Sequence, residues 1–292
     1  MERIRVSVPE DIPAQRELWA LCFGDDGAYV DNFYRTYYRP QRMLVLEDGG
    51  KVRAMTAWFD TQFVLPGRGS VRAAYLYAVG THPQCRGRGL AGELLAWADG
   101  HFRELGVEAV TTVPAQPSLH QFFAANGFGE CFRLFEGQLS PSELPAAGAP
   151  LLRPASPAEY GRVRESLLTD LPHIAYPEQA LEYQAGCCAL GTGGLFVGDT
   201  PEGSVCLCAE EAGNGVVILK ELLGSPAACR LSLPDLPRVA PAQHWLVRVP
   251  RSRTECSANL TLGKFGMLKW LDPEQSKNWD WSSTAYLGLA FD

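Results

Sequence analysis

The stretch with the clearest capacity to bind a ligand is QCRGRGLAG at residues 84–92, which places glycines at positions 87, 89 and 92. A β-rich run precedes it and an apolar helical pattern follows it. Its backbone N–H groups and the positive end of the helix dipole would therefore face outward together. Arg86 and Arg88 add positive charge. The pattern predicts a site for a phosphate-bearing ligand. A plain turn with solvated arginines is the alternative, but it leaves the entropic cost of three glycines unexplained.

The G-x-G-x-x-G spacing is also the fingerprint of dinucleotide sites, which lie after the first strand of a βαβ unit and have an acidic residue about 20 positions later. Here several strand-like runs precede the loop, and the next strand ends in TTVPA without a carboxylate. The loop also lacks the closing Gly-Lys-Ser/Thr of a nucleoside-triphosphate loop, and no protein-kinase motifs follow it. A nicotinamide-dependent enzyme is disfavoured, and Gly92 is expected to be an ordinary helix residue.

Composition and charge narrow the class of protein. A length of 292 residues predicts roughly two domains, and the net charge of −7 with scattered basic residues argues against a nucleic-acid partner. The charged N-terminus and the lack of long apolar runs argue against a secretory signal or a membrane partner. The nine cysteines include no C-x-x-C pair, which favours reduced thiols in the cytoplasm and no bound metal.

The elements that must position the loop follow in the order strand, helix, helix, three strands, loop, helix, strand, helix, strand. The second half of the chain echoes the first: AYLYAVGTHPQCR is matched by ILKELLGSPAACR, and NGFGE by GKFGM. We therefore expect an α/β (α+β) fold with two copies of one unit, as domains 1–140 and 150–292, although the repeat could be coincidental. The second copy has Leu231 and Leu233 where the first has Gly87 and Gly89, so it is expected to have lost the site.

This order of elements, together with QCRGRGLA, resembles the GNAT superfamily of acyl-CoA-dependent N-acetyltransferases. Gln84, Gly87 and Gly89 meet that family's Q/R-x-x-G-x-G/A motif, and the resemblance covers residues 3 to about 139. The tandem arrangement with a degenerate second copy resembles the enhanced-intracellular-survival acetyltransferases, without the sterol-carrier-like domain of their long members. The implied fold is two tandem GNAT-like domains, each a mixed twisted sheet flanked by helices.

The cofactor that the resemblance implies is acetyl-CoA. Loop amides would hold its pyrophosphate, and the backbone of residues 77–79 would pair with the pantetheine arm like an extra strand, where the fourth and fifth strands splay apart. The implied cofactor-binding residues are Ala78, Val79, Gln84, Arg86, Gly87, Arg88, Gly89, Leu90 and Ala91.

The implied reaction is direct attack of a neutral primary amine on the thioester. It needs a base, a donor for the oxyanion (an N–H near Val79 could serve) and an acid for the departing thiolate. The family usually has a tyrosine where this chain has Phe123, which cannot donate a proton. His120, one helical turn earlier, is one candidate acid, and Tyr77 or Tyr75, which share one face of the fourth strand, is the other. Solvation of His120 at the helix surface and ordinary packing of Tyr77 or its neighbour Tyr75 are the alternatives.

The base is less clearly indicated. In the survival-type relatives the C-terminal carboxylate reaches the active site, and this chain ends AYLGLAFD, so the same role is one expectation for Asp292. The other expectation is that Asp292 is simply a solvated last residue. Asp60 is a weaker candidate, and a water relay would need no side-chain base.

The sequence thus favours an acetyl-CoA-dependent N-acetyltransferase, active in its first domain on a small-molecule or peptide amine, with an oligomer possible. The alternative is an acyl-CoA-binding sensor or scaffold that has lost turnover, which Phe123 and the absence of a carboxylate from VRAAYLYAVG favour. An aromatic-rich segment either walls the acceptor side or belongs to the core: Trp19, Phe23, Phe33, Tyr34, Tyr37 and Tyr38.

Overall fold

The computed structural model describes residues 2–146, 148–251, 260–283 and 285–291. Its contacts divide the chain into two compact units. Unit 1 comprises Met1–Phe63, Ser70–Gly129 and Met267–Trp281, and unit 2 comprises Val64–Gly69, Glu130–Gly266 and Ser282–Asp292. Each unit therefore includes a segment from the other half of the chain. Among the helices formed by the described residues, none is long and apolar enough to cross a membrane.

The first half of the chain folds in the predicted order of elements. These are β1 (Arg3–Val6), α1 (Ile12–Phe23), α2 (Gly27–Thr36), β2 (Met43–Asp48), β3 (Lys51–Leu65), β4 (Gly69–Thr81), α3 (Leu90–Glu104), β5 (Ala109–Thr112), α4 (Pro117–Ala125) and β6 (Gly129–Leu139). β2 and β3 form a hairpin, in which Gly49 and Gly50 have φ of 59° and 74°, as a two-residue turn of this kind requires.

The second half has elements in a similar order. These are β7 (Leu152–Pro154), α5 (Pro157–Leu167), β8 (His173–Ala175), α6 (Glu178–Cys188), β9 (Gly194–Thr200), β10 (Gly203–Gly213), β11 (Val216–Leu223), α7 (Pro226–Ser232), α8 (Leu236–Val239), β12 (His244–Pro250), β13 (Thr261–Trp270) and α9 (Pro273–Asn278).

Unit 1 is a mixed sheet with the strand order β1-β2-β3-β4-β5, followed by residues 267–270 of β13. The β4–β5 pair is parallel and the β1–β2, β2–β3 and β5–β13 pairs are antiparallel. One face of the sheet packs on α3 and α4 through Leu94, Ala98 and Phe123. Trp97 of α3 lies outside this buried face, because its side chain is 37% exposed, whereas Leu95 is buried.

Unit 2 has a sheet with the strand order β7-β9-β10-β11-β12-β6. The β11–β12 pair is parallel, and the β7–β9, β9–β10, β10–β11 and β12–β6 pairs are antiparallel. This pattern matches that of unit 1 strand for strand, which supports the interpretation of the halves as two copies of one fold.

The two units differ in their bounds from the expected domains 1–140 and 150–292. Strand β6 belongs to unit 2 because it pairs with β12, from Trp245↔Leu139 to Pro250↔Leu134. Residues 267–270 belong to unit 1 because they pair with β5. Alternating polarity indicates that a segment is a strand and which face is buried, but it does not indicate the partner strand. The origin of each unit in a repeated domain stays a prediction.

Candidate functional site

The predicted phosphate loop joins the end of β4 to the start of α3. A 3-10 turn over Pro83–Cys85 opens it, with the Gln84 N–H donating to His82 Nδ1 at 3.2 Å. Gly87 and Gly89 have φ of 77° and 88°, in the left-handed region that other residues rarely adopt. The Gln84 side chain is exposed, and Gly92 lies inside α3, as expected. The loop therefore depends on two of its three glycines for its backbone conformation.

The helix that follows this loop has a free N-terminal end. No side chain caps α3, and its first intrahelical hydrogen bond runs from the Glu93 N–H to the Gly89 carbonyl at 3.1 Å. The N–H groups ahead of Glu93 therefore project from the helix end together with the positive end of the dipole. A Cβ built at Gly87 would meet nothing within 4 Å. The protein thus leaves room over the loop for an anion to approach the backbone.

The two arginines of the loop are exposed and already have partners. Arg88 Nη2 donates to Glu2 Oε1 at 2.8 Å and to Asp48 Oδ2 at 2.9 Å, and the hydrogen bond from Arg88 lowers the pKa of Asp48 below its usual range. Arg86 Nε donates to the Thr81 carbonyl at 3.2 Å. Exposed ion pairs of this kind contribute little to stability, so a phosphate can replace the carboxylates at small cost. The acidic partners were not foreseen from the sequence, because they lie far from the loop along the chain.

Strand β4 contains a break in its alternation that the sequence did not reveal. Ala78 has φ of 50°, which is uncommon for a residue with a Cβ and costs about 1–2 kcal/mol. Before Ala78, Leu76 faces the core formed with α3, and after it Val79 packs against that same core. The residues that face this core are therefore even-numbered before Ala78 and odd-numbered after it. Such a bulge leaves one residue out of the hydrogen-bonded ladder. Backbone strain of this kind is concentrated at functional sites.

The strands also separate close to this bulge. The parallel register of β4 and β5 runs from Ala73↔Ala109 to Tyr75↔Thr111, and β4 then continues to Thr81. β5 ends at Thr112. Residues 76–81 therefore extend beyond the part of β4 that pairs with β5, which is the arrangement expected where a cofactor arm pairs with the backbone of residues 77–79.

Tyr77 lies on the face of β4 opposite to Leu76, among aromatic rings from α1, α2 and β3. Its ring centroid is 5.5 Å from that of Trp19 and 5.3 Å from that of Phe59. Its hydroxyl donates to the Tyr29 hydroxyl at 3.0 Å, and the residue is 9% exposed. Packing therefore fixes the Tyr77 ring close to the bulge. That Tyr77 acts as the general acid stays a prediction.

The other two predicted catalytic residues are His120 and Asp292. His120 is half-buried on α4. Phe123, at the position of the family tyrosine, is 4% exposed and packs in the core against Phe128, with ring centroids 5.4 Å apart. Asp292 lies outside the described residues, while Phe291 before it is buried in unit 2.

Asp60, the weaker candidate base, has partners of its own. Arg42 Nε donates to Asp60 Oδ2 at 2.8 Å, and Trp58 Nε1 donates to Asp60 Oδ1 at 3.2 Å. Trp58 packs on Phe102 of α3. Asp60 therefore shares a face with Trp58, opposite to the face that carries Tyr77.

Cys22 lies at the end of β4, although no pattern in the sequence indicates it as a site residue. Its thiol donates to the Thr81 carbonyl at 3.4 Å, and burial raises its pKa above the usual range. A Cβ at Gly80 would come within 3.2 Å of the Cys22 sulfur. Gly80 therefore lets α1 approach the strand closely, just before the loop.

The aromatic segment belongs mostly to the core. Trp19, Phe33 and Tyr37 are almost completely buried, and the Tyr37 hydroxyl accepts from the Asp60 backbone N–H at 2.9 Å. Phe23, in contrast, is 42% exposed. Burial of these rings in the core explains most of this aromatic-rich segment, without a role in binding the acceptor amine.

The counterpart of the loop in unit 2 has a different structure. Helix α7 begins at Pro226, soon after β11 ends, and the Ser225 hydroxyl accepts from the Ala228 N–H at 3.1 Å. Leu231 lies inside α7, and Leu233 begins the 3-10 turn Leu233–Asp235. The helix thus occupies the positions of the glycine loop, and its first turn is capped by its own chain.

Comparison with known proteins agrees with this geometry. Residues 3–129 match the family model described as an acetyltransferase (GNAT) domain. No curated protein sequence matches the chain. A GCN5-related N-acetyltransferase from Kribbella flavida is 17% identical with a TM-score of 0.70, over 93% of this chain and 72% of that one. Its counterpart from Anabaena variabilis is 16% identical with a TM-score of 0.71, over 93% and 73%.

Eis1 from Mycobacterium abscessus is also similar, at 14% identity and a TM-score of 0.65 over 94% of this chain and 75% of that one. At these identities the structures show the fold alone. They agree in fold with the family model, which matches residues 3–129 to a GNAT acetyltransferase domain.

Proposed function

We propose that this protein transfers an acetyl group from acetyl-CoA to a primary amine by direct attack. The observation that carries the proposal is the free N-terminal end of α3, preceded by Gly87 and Gly89 in left-handed conformations with open space above Gly87. The same feature is absent at α7, where Ser225 caps the helix. Of the two helices, only α3 therefore offers an anion site.

Acetyl-CoA supplies the activated acetyl group as a thioester. The amides of residues 86–91 and the arginines of the loop would hold its pyrophosphate, with Gln84 at the loop entrance. The backbone around Ala78 and Val79, where the bulge leaves the ladder and β5 ends, would pair with the pantetheine arm and hold the oxyanion.

The reaction moves two protons. The acceptor must lose one as its nitrogen bonds to the carbonyl carbon, and the sulfur must gain one as the carbon–sulfur bond breaks. We assign the first task to the carboxylate of Asp292. We assign the second to Tyr77, with His120 as the alternative acid. Tyr77 is the stronger candidate because its ring is fixed next to the bulge at Ala78.

Steady-state release of CoA thiol with a panel of primary amines, including peptides, polyamines and aminoglycosides, tests the function. We expect at least one amine to raise thiol release above hydrolysis, and the acetylated product to appear by mass spectrometry. If acetyl-CoA binds tightly but no amine of the panel raises the release of CoA thiol, the proposed enzymatic function is refuted.

Variants then separate the roles. Tyr77→Phe is expected to lower kcat about 10²-fold or more and to remove the alkaline limb of the pH–rate profile, with unchanged acetyl-CoA affinity. Tyr75→Phe, on the same face of the same strand, is the matched control and should stay active. A loss in His120→Gln with full activity in Tyr77→Phe would assign the acid to His120.

A second candidate function is an acyl-CoA-binding sensor without turnover. The specific observation in its favour is the burial of Phe123 in the core, where the family tyrosine would supply a proton. This function predicts the same CoA affinity and the same sensitivity to changes at Gly87. The amine panel alone distinguishes the two.

A further inference from the structure

The sheet of unit 1 has a second face, which is turned away from α3. Val110 of β5 faces the core formed with α3, so its neighbours Ala109 and Thr111 lie on the opposite face. Thr111 pairs with Tyr75 of β4, and this is the last pair of the β4–β5 register. The Tyr75 and Thr111 side chains therefore form a row next to the point where the strands separate, close to the backbone of residues 77–79.

The next row on this face has small side chains in its middle and aromatic rings at its end. Ala73 pairs with Ala109, and Ala109 pairs with Trp270 of β13. The ring of Phe63 stacks on that of Trp270 with centroids 5.7 Å apart. The ring of Trp279 lies 5.2 Å from Phe63 and 5.6 Å from Trp270. The two alanines thus form a floor of small side chains, bounded by three aromatic rings on one side and by the first row on the other.

Four buried polar atoms of this face have no hydrogen-bond partner among the described residues. They are Oγ1 of Thr61 and Thr111 and Nε1 of Trp270 and Trp279. Thr61 is 4% exposed and lies on the same side of β3 as Phe63, Thr111 is fully buried, and Trp270 is 8% exposed. Buried polar groups are nearly always paired, because leaving water without a new partner costs free energy. A ligand that supplies the missing partners explains why these four are retained together.

The chemistry of these side chains defines the ligand that fits. The alanine floor and the aromatic rings suit a flat apolar ring. An indole N–H can only donate a hydrogen bond, whereas a threonine hydroxyl can donate or accept one, so together they suit a hydroxyl group on that ring. None of the side chains named for this face carries a charge. A second ammonium group would have to leave water here without a carboxylate to meet it, which disfavours polyamines and aminoglycosides.

The position of this face suits the acceptor of the proposed reaction. A strand rises about 3.3 Å per residue, so the row of Ala73 lies about 13 Å from Tyr77. This span is long enough for an aromatic ring joined to a short amine chain. All the residues of the face belong to unit 1, the unit that also contains the glycine loop.

We propose that this face binds the acceptor, and that the acceptor is a primary amine on a short chain joined to an aromatic ring that carries a hydroxyl group. The inference rests on the proposed function and names its substrate class. The amine lies toward residues 77–79. The ring lies over Ala73 and Ala109, and its hydroxyl lies between Thr111 and Trp270.

Tyramine, phenethylamine and spermidine test the substrate class in steady-state thiol release with acetyl-CoA. We expect kcat/KM for tyramine to exceed that for phenethylamine about tenfold or more, because phenethylamine leaves the buried donors unpaired. It should exceed that for spermidine roughly 10²-fold, because spermidine brings further charges into an uncharged site. A preference for spermidine or for an aminoglycoside would overturn the inference and leave the proposed function standing.

Thr111→Val tests the site, since it removes the hydroxyl and keeps the shape of the side chain. We expect kcat/KM for tyramine to fall about 2- to 10-fold, with kcat/KM for phenethylamine and the acetyl-CoA affinity unchanged. Trp270→Phe, which removes the indole N–H, should show the same selectivity. Equal falls for the two amines would overturn the inference, because a general change of the sheet would then explain the result.

The stability of the free protein gives a second readout. The Thr111 hydroxyl has no partner among the described residues, so Thr111→Val should leave the thermal midpoint unchanged or raise it. Thr56→Val is the matched control, because the Thr56 hydroxyl donates to the Ala57 and Tyr77 carbonyls at 3.2 Å and 3.3 Å. It should lower the midpoint by about 2–4 °C. A comparable fall in Thr111→Val would show that its hydroxyl is already paired, and would overturn the inference.

Binding without turnover separates the inference from the proposed function. Isothermal titration calorimetry of tyramine into the CoA-bound protein should show one site, which Thr111→Val weakens. If this holds but no amine raises thiol release, the proposed function is refuted and the face remains an amine-binding site. If another amine is acetylated while tyramine neither binds nor reacts, the inference alone is overturned.

Discussion

Replacement of Gly87 by alanine separates the backbone conformation of the loop from the space above it. Gly87 has φ of 77°, so alanine costs about 1–2 kcal/mol of backbone strain. A Cβ there would meet no protein atom within 4 Å, so no steric clash adds to this cost. The free energy of unfolding should therefore fall by only this small amount, and the domain should stay folded.

The effect on acetyl-CoA binding should be much larger. The new methyl group would occupy the space through which the pyrophosphate reaches the loop amides. Loss of two charge-assisted hydrogen bonds, at about 1.5–3 kcal/mol each, would weaken binding by about 3–6 kcal/mol. This corresponds to a factor of roughly 10² to 10⁴ in Kd, which isothermal titration calorimetry with CoA can measure.

Gly67→Ala provides the matched control. Gly67 has φ of 72°, and a Cβ added to it would likewise meet no atom within 4 Å. It lies in the turn before β4, whose 13 residues extend about 40 Å toward the loop. The control should show the same loss of stability and full CoA affinity. Wild-type affinity in Gly87→Ala would refute the phosphate loop, and equal loss in both variants would attribute the effect to strain.

Three further predictions address other parts of the chain. Native mass spectrometry should show one CoA per chain, because Ser225 caps α7; two bound molecules would contradict the loss of the site in unit 2. Asp11→Asn should lower stability to urea by about 1–2 kcal/mol at neutral pH, because the hydrogen bond from Arg5 lowers the pKa of Asp11 below 3.8. A carboxyl with a depressed pKa stabilises the fold above pH 3.8, and this contribution is lost as the pH falls through the pKa of the folded state. The difference in stability between wild type and Asp11→Asn should therefore vanish in acid. If the ion pair were irrelevant, the two proteins would be equally stable at every pH. Among the described free cysteines, Cys22 is half-buried and the others are buried, so iodoacetamide should label Cys22 first. Labelling should be slow at neutral pH, because burial raises the pKa of the Cys22 thiol. Bound CoA should protect Cys22 from labelling. Labelling unaffected by CoA would place the ligand away from Thr81.

The glycine loop could be predicted from the sequence because its signal is local. Glycine is favoured wherever φ is positive, so two glycines between a strand and a helix indicate the backbone conformation directly. The bulge at Ala78 had no such signal, since alanine in an apolar run predicts an ordinary strand. The partners of Arg88 were hidden for another reason: Glu2 and Asp48 come close to it only when β1, β2 and the loop are assembled.

The pairing of the two halves of the sequence shows the same limit on a larger scale. The repeat pairs Gly80 with Gly224, each near the end of its strand, and Gly87 with Leu231, which lies inside α7. A repeat that aligns residue by residue implies equal loop lengths. The early start of α7 removes the loop itself, and its capping by Ser225 then satisfies a group that an anion would otherwise bind. Among its described residues, unit 2 therefore has no loop like that of unit 1 at this position, because Leu231 lies inside α7 and Leu233 begins the 3-10 turn after it.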